Sequence, residues 1–215
     1  MTPCTPTGVL MPEGTQAITD DGGVLRHPDG VARCWWCGED PGYVAYHDDE
    51  WGRPVRDEQR LFEKLCLEGF QAGLSWLTVL RRREALRRAF EGFDPVRVAT
   101  FDERDIARLI GDARIIRHRA KIEAVVTNAR ALLALHRGGA SLAKMVWHHA
   151  PPPRPRPRTP GEIPTSTPSS HALAAELKAS GFAFVGARTM YALMQSMGIV
   201  DDHLADCHRA AHPPA

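Results

Sequence analysis

Two pairs of metal-ligating side chains stand near opposite ends of this 215-residue chain. Cys34 and His47 form the first pair, and His203 and Cys207 form the second. Two thiolates and two imidazoles satisfy a tetrahedral zinc ion, and a histidine and a cysteine four positions apart lie on one helical face or across one turn. Because such an ion would hold together segments far apart in sequence, its binding would contribute directly to folding. The spacing therefore predicts a closed, structural zinc site that joins the N- and C-terminal segments.

A further cysteine leaves the ligand set open at this point. Cys34 and Cys37 form a CxxC motif, which could be redox active or could donate both thiolates to the metal. The redox interpretation needs a βαβ context, and no such pattern is present. The five cysteines are an odd number at irregular spacing, which argues against a disulfide framework.

The overall composition is typical of one compact intracellular domain. A hydrophobic content of 43% and a charged content of 25% exclude wholesale disorder. No apolar run approaches the ~20 residues of a membrane-spanning helix, and the N-terminus lacks a secretory signal, so we expect no membrane partner. The net charge is only +1, so any nucleic-acid surface must be local. Only four of the 27 cationic side chains are lysines, an excess of arginine that suits phosphate contacts but that compositional bias would also produce.

Helical periodicity organises most of the chain. Residues 1–31 are rich in Pro, Gly, Thr and Asp without apolar periodicity, which predicts a flexible N-terminal extension before a domain over residues 32–210. Amphipathic patterns predict helices over residues 57–68, where Gly69 would end the helix, and over residues 119–136. No segment has the pattern of a sheet. The expected fold class is therefore all-α.

A proline- and arginine-rich stretch interrupts this helical pattern. Residues 150–160, APPPRPRPRTP, cannot form a helix or a central strand, which predicts an extended surface loop. Such a loop would be a solvated spacer or a phosphate contact, and we favour the spacer.

A glycine-bounded turn follows between two later helical segments. Its sequence, Gly-Phe-Ala-Phe-Val-Gly over residues 181–186, is similar to a helix-hairpin-helix turn, which presents backbone N–H groups at the start of the second helix to a phosphate. Any αα-hairpin would have a similar pattern. The candidate DNA contacts are Gly181, Val185, Gly186 and Arg188.

Aromatic residues are concentrated at the start of the predicted domain. Four of the five tryptophans fall within a 42-residue span, and two of the three tyrosines lie among them. A tryptophan-rich core beside the metal would explain part of this density. An extruded nucleobase, however, needs flat partners on both faces, and a cationic alkylated base gains further from electron-rich rings. Trp36 and Trp76 are the stacking candidates.

Glu68 stands at the predicted C-terminal end of an apolar helix, within the segment LEGFQAGLSW. One interpretation is a carboxylate that satisfies backbone amides in the following turn. In the other, Glu68 accepts a hydrogen bond from the exocyclic amine of adenine, and its charge favours a methylated, electron-poor base over a neutral one.

Together these residues resemble the 3-methyladenine DNA glycosylase I family, a divergent branch of the helix-hairpin-helix glycosylases. The resemblance covers roughly residues 33–207, and several of its motifs are long enough to be specific. These are DPGYVAYHDDEWG at 40–52, LFEKLCLEGFQAGLSWLTVL at 61–80, IIRHRAKIEAVVTNARA at 115–131, EIPTSTPSS at 162–170 and GFAFVGARTMYALMQSMGIVDDH at 181–203.

The resemblance implies an all-α, helix-hairpin-helix glycosylase domain with assigned site residues. Glu68 would be the catalytic, base-recognising carboxylate, and Cys37 falls outside the family's ligand pattern. The N-terminal extension and the proline- and arginine-rich stretch also lie outside the shared pattern. The implied zinc ligands are Cys34, His47, His203 and Cys207, and the implied substrate-binding residues are Trp36, Tyr43, Tyr46 and Trp76.

The implied activity is that of a monofunctional base-excision repair enzyme. It would flip 3-methyladenine out of double-stranded alkylated DNA and release it as the free base, acting as a monomer in the bacterial cytosol or nucleoid. Methylation at N3 puts positive charge on the base and already weakens the glycosidic bond, so little acid catalysis is needed. No lysine follows Lys178 at the position from which bifunctional relatives form a Schiff base, which predicts no strand cleavage.

Asp201 and Asp202 lie near where related glycosylases keep a catalytic aspartate. We expect them to support His203 as a cap or ligand partner and not to catalyse the reaction. The main rival to the enzyme interpretation is a non-catalytic zinc-dependent DNA-binding protein, for which the hairpin and the arginines suffice.

Overall fold

The computed structural model describes residues 23–209, and this part of the chain is mainly helical. Within it, no helix combines the length and the apolar character that crossing a membrane requires. The elements in chain order are β1 Val24–Arg26, β2 Ala32–Cys34, α1 Pro41–Asp49, α2 Glu58–Gln71, α3 Trp76–Ala89, α4 Pro95–Val98, α5 Glu103–Gly111, α6 Arg119–Arg137, α7 Leu142–His148, α8 Pro168–Ala179 and α9 Ala187–Ser196, with short 3-10 turns at Trp35–Cys37, Glu91–Phe93 and Pro160–Glu162.

A two-stranded antiparallel hairpin corrects two sequence-based expectations, namely the absence of any sheet and a flexible extension through residue 31. Val24 pairs with Cys34, and the Val24 side chain is only 2% exposed because it packs against Leu204 and Cys207. Strands of three residues are too short to show alternation in a sequence. The rest of the expected extension, residues 1–22, and residue 210 lie outside the described residues.

Helix α2 is the centre of the fold and packs against α3, α6, α7 and α9. Asp57 caps its first turn by accepting a hydrogen bond from the backbone N–H of Arg60. The helix passes through Gly69, so the predicted end there was wrong. A Cβ on Gly69 would lie 3.3 Å from the Cβ of Phe184, which indicates that this glycine permits close packing inside the helix. Lys121 of α6 satisfies the end of α2 by donating to the carbonyl oxygen of Phe70 at 2.8 Å.

The proline- and arginine-rich stretch has no regular secondary structure between residues 150 and 158, as predicted, but it is not a solvated spacer. Arg154 donates to the carboxylate of Asp202 at 2.6 Å, and Arg156 donates to Asp201 at 2.8 Å. These ion pairs attach the loop to the C-terminal segment, a contact between residues more than 40 positions apart that periodicity does not reveal.

Gly198 allows two chain segments to approach closely after α9. Its φ is +69°, and a Cβ there would lie 2.5 Å from both the carbonyl carbon of Arg53 and the nitrogen of Pro54. An L side chain is therefore disfavoured by the left-handed backbone and also by the neighbouring main chain.

Replacing Gly198 with alanine should lower the free energy of unfolding by about 2–5 kcal/mol, since a left-handed conformation and overpacking both contribute. Urea denaturation followed by tryptophan fluorescence measures the change. Gly139→Ala is the matched control, because Gly139 also has a positive φ, +76°, but no atom lies within 4 Å of the position that its new methyl group would take. Equal losses in the two variants would contradict the packing role of Gly198.

Candidate functional site

Helix α2 places a buried ion pair at the centre of the candidate site. Glu68 is 4% exposed, and its Oε1 lies 2.8 Å from Nζ of Lys64, one helical turn earlier. Residues four apart share one face of a helix, so both side chains point to the same neighbours. Glu68 therefore does not point into solvent, and its hydrogen-bond partner is a lysine and not the backbone amides of the following turn.

Two rings, Tyr46 and Trp76, contact Lys64 of this ion pair, and two more rings adjoin Tyr46. We call Trp36, Tyr43, Tyr46 and Trp76 the aromatic cluster. The centroid of the Tyr46 ring lies 5.4 Å from that of Trp76, and Tyr43 lies 5.2 Å from Trp36. Trp36 and Tyr46 complete the chain of contacts at 6.3 Å. The structure thus brings together all the residues that the sequence assigned to substrate binding, although they come from three separate segments.

The aromatic cluster has a deep end and an outer end. Tyr46 and Trp76 are buried beside Glu68, whereas Trp36 and Tyr43 are only partly buried. The indole Nε1 of Trp76 is buried without a hydrogen-bond partner among the described residues, so the site holds a donor that a ligand acceptor would satisfy. Such an arrangement suits a flat ligand that enters from the outer end.

Lys64 connects the ion pair to the rings. Its Nζ lies 3.2 Å from the centroid of the Trp76 ring and donates to the hydroxyl of Tyr46 at 2.8 Å. Burial lowers the pKa of Lys64 to about 8, although the charge of Glu68 opposes this shift. Burial also raises the pKa of both Tyr43 and Tyr46, and the field of Glu68 adds to it. The site is therefore shielded from water, and electrostatic interactions within it are strong.

A second cluster joins the two ends of the domain. The Sγ atoms of Cys34 and Cys207 and the Nε2 of His47 lie within 4.8 Å of one another, and all three residues are buried. The ring of His203 lies 5.3 Å from that of His47, centroid to centroid, and its Nε2 is buried without a hydrogen-bond partner among the described residues. Three donors therefore lie together, and the imidazole of His203 stands next to them outside this group of three. Two thiols and two imidazoles are a donor set that zinc takes.

Two aspartates orient the histidines of this cluster. Nδ1 of His47 lies 2.8 Å from Asp48, and Nδ1 of His203 lies 2.8 Å from Asp201. Although burial disfavours its charge, hydrogen bonds from His203 and Arg156 lower the pKa of Asp201. An ionised carboxylate only accepts, so each Nδ1 donates and each Nε2 presents its lone pair to the cluster. This confirms the expected support of His203 by Asp201.

Asp202 has a different environment from Asp201. It is buried, and its oxygens accept from Arg154 at 2.6 Å, from the hydroxyl of Tyr191 at 2.6 Å and from Gln195 at 2.8 Å. Its carboxylate is therefore fully occupied by protein donors.

Cys37 lies near this second cluster but points elsewhere. Its thiol donates to the carbonyl oxygen of Cys34 at 3.2 Å and lies 3.9 Å from Nε2 of His27. Burial raises its pKa to about 12, which opposes the thiolate that metal binding or thiol exchange requires.

The Cys34 thiol has a different environment. A hydrogen bond shared with Cys207 and burial both raise the pKa of Cys34, because two adjacent buried thiolates need a cation to stabilise them.

Helices α8 and α9 pack against each other on either side of the turn at residues 181–186. Gly181 has a φ of +88°, and Gly186 is the N-cap of α9 without any side-chain cap, so the first backbone N–H groups of α9 are available to a ligand. Arg188 is exposed in the first turn of this helix. Val185 is buried at 1% exposure, so only its backbone can contact DNA.

Two polar residues of this site were missed by sequence reasoning. Asn128 of α6 holds the hairpin turn, since its Oδ1 accepts from the backbone N–H of Ala183 at 2.7 Å and its Nδ2 donates to the Ala183 carbonyl at 3.2 Å. Lys64 is the other. Both occupy buried positions of amphipathic helices, and a polar residue at such a position was the available signal.

The fold and the site define a family. A family model for methyladenine glycosylases matches residues 36–210, most of the chain, and the chain belongs to this family. The matched region contains α1 to α9 and the aromatic cluster.

Individual relatives agree with this assignment. The chain is 50% identical over 180 residues to DNA-3-methyladenine glycosylase 1 of Escherichia coli strain K12, an alignment that covers 82% of this chain and 96% of the relative. It is similar, with a TM-score of 0.81 and 50% identity, to a crystal structure of 3-methyladenine DNA glycosylase I, over 84% of this chain and all of the other. The 3-methyladenine DNA glycosylase I of Staphylococcus aureus, solved to explain 3-methyladenine recognition, matches with a TM-score of 0.77 and 36% identity, over 82% of this chain and 94% of the other.

Replacing Asn128 with leucine should destabilise the protein by about 1–3 kcal/mol, since the Ala183 N–H and carbonyl lose their partner. Chemical denaturation measures the loss, and Thr127→Ala, at an exposed neighbouring position of α6, is the control. An unchanged free energy of unfolding in Asn128→Leu would show that the amide does not hold the hairpin.

Proposed function

We propose that this protein is a monofunctional DNA glycosylase that releases 3-methyladenine from alkylated double-stranded DNA. The observation that carries the proposal is a buried carboxylate, Glu68, whose ion-pair partner Lys64 lies against two rings of the aromatic cluster, Tyr46 and Trp76. The names of the relatives support the same activity. The alternative, a non-catalytic zinc-dependent DNA-binding protein, does not explain a buried carboxylate beside the aromatic cluster.

Recognition follows from the charge of the lesion. Methylation at N3 makes the base of the nucleotide cationic, so the electron-rich faces of the aromatic cluster and the negative field of Glu68 favour it over neutral adenine. The Glu68 carboxylate also accepts a hydrogen bond from the exocyclic amine. Because the site is shielded from water, each of these electrostatic differences is larger than it would be on the surface.

Hydrolysis of the glycosidic bond requires little more than correct positioning of the extruded nucleotide and a water molecule. The cationic base leaves with the electron pair of its glycosidic bond and becomes neutral, and the oxygen of a water molecule bonds to C1′ and releases a proton. The sugar passes through an oxocarbenium-like state. No lysine is needed as a nucleophile, so the DNA strand remains intact.

Access to the deep end of the cluster requires that the base leave the duplex. Leu74 lies in the turn between α2 and α3, two residues before Trp76, and is 41% exposed. Its apolar side chain would fill the gap that the extruded base leaves among the stacked bases. The N-terminus of α9, with Gly186 and Arg188, would hold a backbone phosphate. These contacts support base flipping by a helix-hairpin-helix element.

A structural zinc ion fits the second cluster. Its ligands would be Cys34, His47 and Cys207, whose donor atoms lie together, with His203 as the fourth, and the unpartnered Nε2 of His203 supports this role. When bound, the ion would supply a crosslink between the β-hairpin, α1 and the C-terminal segment and no chemistry on the base. One chain supplies every residue of both sites, which suits a monomer acting on DNA in the bacterial cytosol.

Release of free 3-methyladenine from methylated duplex DNA tests the activity. The wild-type protein at stoichiometric concentration should release the base well above the spontaneous rate without cutting the strand. Glu68→Gln, which keeps the shape of the side chain but removes its charge, should release the cationic base from methylated duplex DNA at least about tenfold more slowly, equivalent to about 1.4 kcal/mol, with an unchanged fold. No release by zinc-loaded wild-type protein would leave the DNA-binding alternative.

Metal analysis of purified variants tests the zinc proposal. Cys207→Ala should lose the ion and much of the thermal stability, since the metal contributes to folding. Cys37→Ser, the matched control, should keep one zinc per chain because its thiol points away from the cluster. Loss of zinc in both variants would instead assign a ligand role to Cys37.

A further inference from the structure

Lys64 occupies the place where a cationic base would make its strongest contacts. Its ammonium lies 2.8 Å from Oε1 of Glu68 and 3.2 Å from the centroid of the Trp76 ring, and it is buried. These are the carboxylate and the electron-rich face that the proposed substrate uses. The positive charge that balances Glu68 is therefore already present in the free protein, on Lys64.

Lys64 and a cationic base would compete for Glu68, and the surrounding charged groups do not change this. Glu50 and Arg83 are the other charged groups that act on Lys64, and they form a bidentate pair with each other at 2.6 and 2.8 Å. Tyr46 accepts a hydrogen bond from Lys64 but carries no charge, since its pKa lies well above the usual value through burial. Glu68 consequently has Lys64 as its counter-ion.

We propose that Lys64 is a specificity-determining residue, an internal cation that neutralises Glu68 until an extruded methylated base replaces it. The proposal rests on the proposed function, because it concerns the same site and the same substrate. A protonated Lys64 makes the pair electrically neutral, so a cationic base must displace the ammonium from Glu68. A neutral Lys64 leaves the negative charge of Glu68 unbalanced, and the site then attracts a cationic base most strongly.

The proposal predicts that base release increases with pH. The pKa of Lys64 is lowered to about 8, so the neutral fraction of the amine grows about tenfold between pH 7 and pH 9. The N3-methylated nucleotide keeps its charge across this range because methylation, not a proton, creates it. The tyrosines of the cluster have raised pKa values and stay neutral.

The experiment measures single-turnover release of 3-methyladenine from methylated duplex DNA, at subsaturating enzyme, between pH 6.5 and pH 9.5, after subtraction of spontaneous loss at each pH. The release rate of the wild-type protein should increase about tenfold between pH 7 and pH 9 and then level off, as the neutral fraction of Lys64 does. Lys64→Met, similar in size but uncharged, should not show this increase with pH. Lys64→Arg, which stays charged, should remain near the low-pH rate throughout.

The control is Lys144→Met, at an exposed lysine of α7, which should reproduce the wild-type profile. A wild-type rate that is flat or falls between pH 7 and pH 9 overturns the proposal whether or not the Lys64 variants fold, and so does a step that persists in a folded Lys64→Met. Either result would be obtained from an active glycosylase, so it would leave the proposed function intact. Absence of release at every pH would reject the function itself.

Discussion

A buried carboxylate among aromatic rings is costly unless something compensates for its charge, and Glu68 is in this position. Lys64, on the same face of α2, provides the compensation within the free protein. A cationic base would provide it in the complex. Helix α2, which carries both residues, packs against α3, α6, α7 and α9, and Glu68 is 4% exposed.

The cluster of Cys34, His47, His203 and Cys207 and the aromatic cluster lie next to each other. His47 and Tyr46 are adjacent in α1, and Trp36 lies two residues after Cys34 and contacts both the rings and His47. Trp51 links the two clusters again, with its ring 4.9 Å from Trp36 and 4.6 Å from His203. The positions of the two histidines therefore restrain the outer rings of the aromatic cluster, so an ion bound to those histidines would affect the rings without touching them.

The sequence predicted those parts of the fold that depend on local pattern and motif. The bounds of α6, the turn between α8 and α9, and the proximity of Cys34, His47 and Cys207 were all predicted in this way. It could not predict β1, whose three residues are held by Leu204 and Cys207 from the far end of the chain. It also missed the continuation of α2 through Gly69, and it missed Lys64, because periodicity shows that a position is buried but not which charge faces it.

The most direct test compares two bases of the same shape and different charge. Duplexes would carry either a non-cleavable 2′-fluorinated N3-methyladenine nucleotide, which is cationic, or 3-methyl-3-deazaadenine, which is neutral, and dissociation constants would be measured at pH 8.5. The account predicts at least about tenfold tighter binding of the cationic base, about 1.4 kcal/mol, and loss of this difference when Glu68 is made neutral. Equal affinity of the wild-type protein for both duplexes would contradict selection by charge.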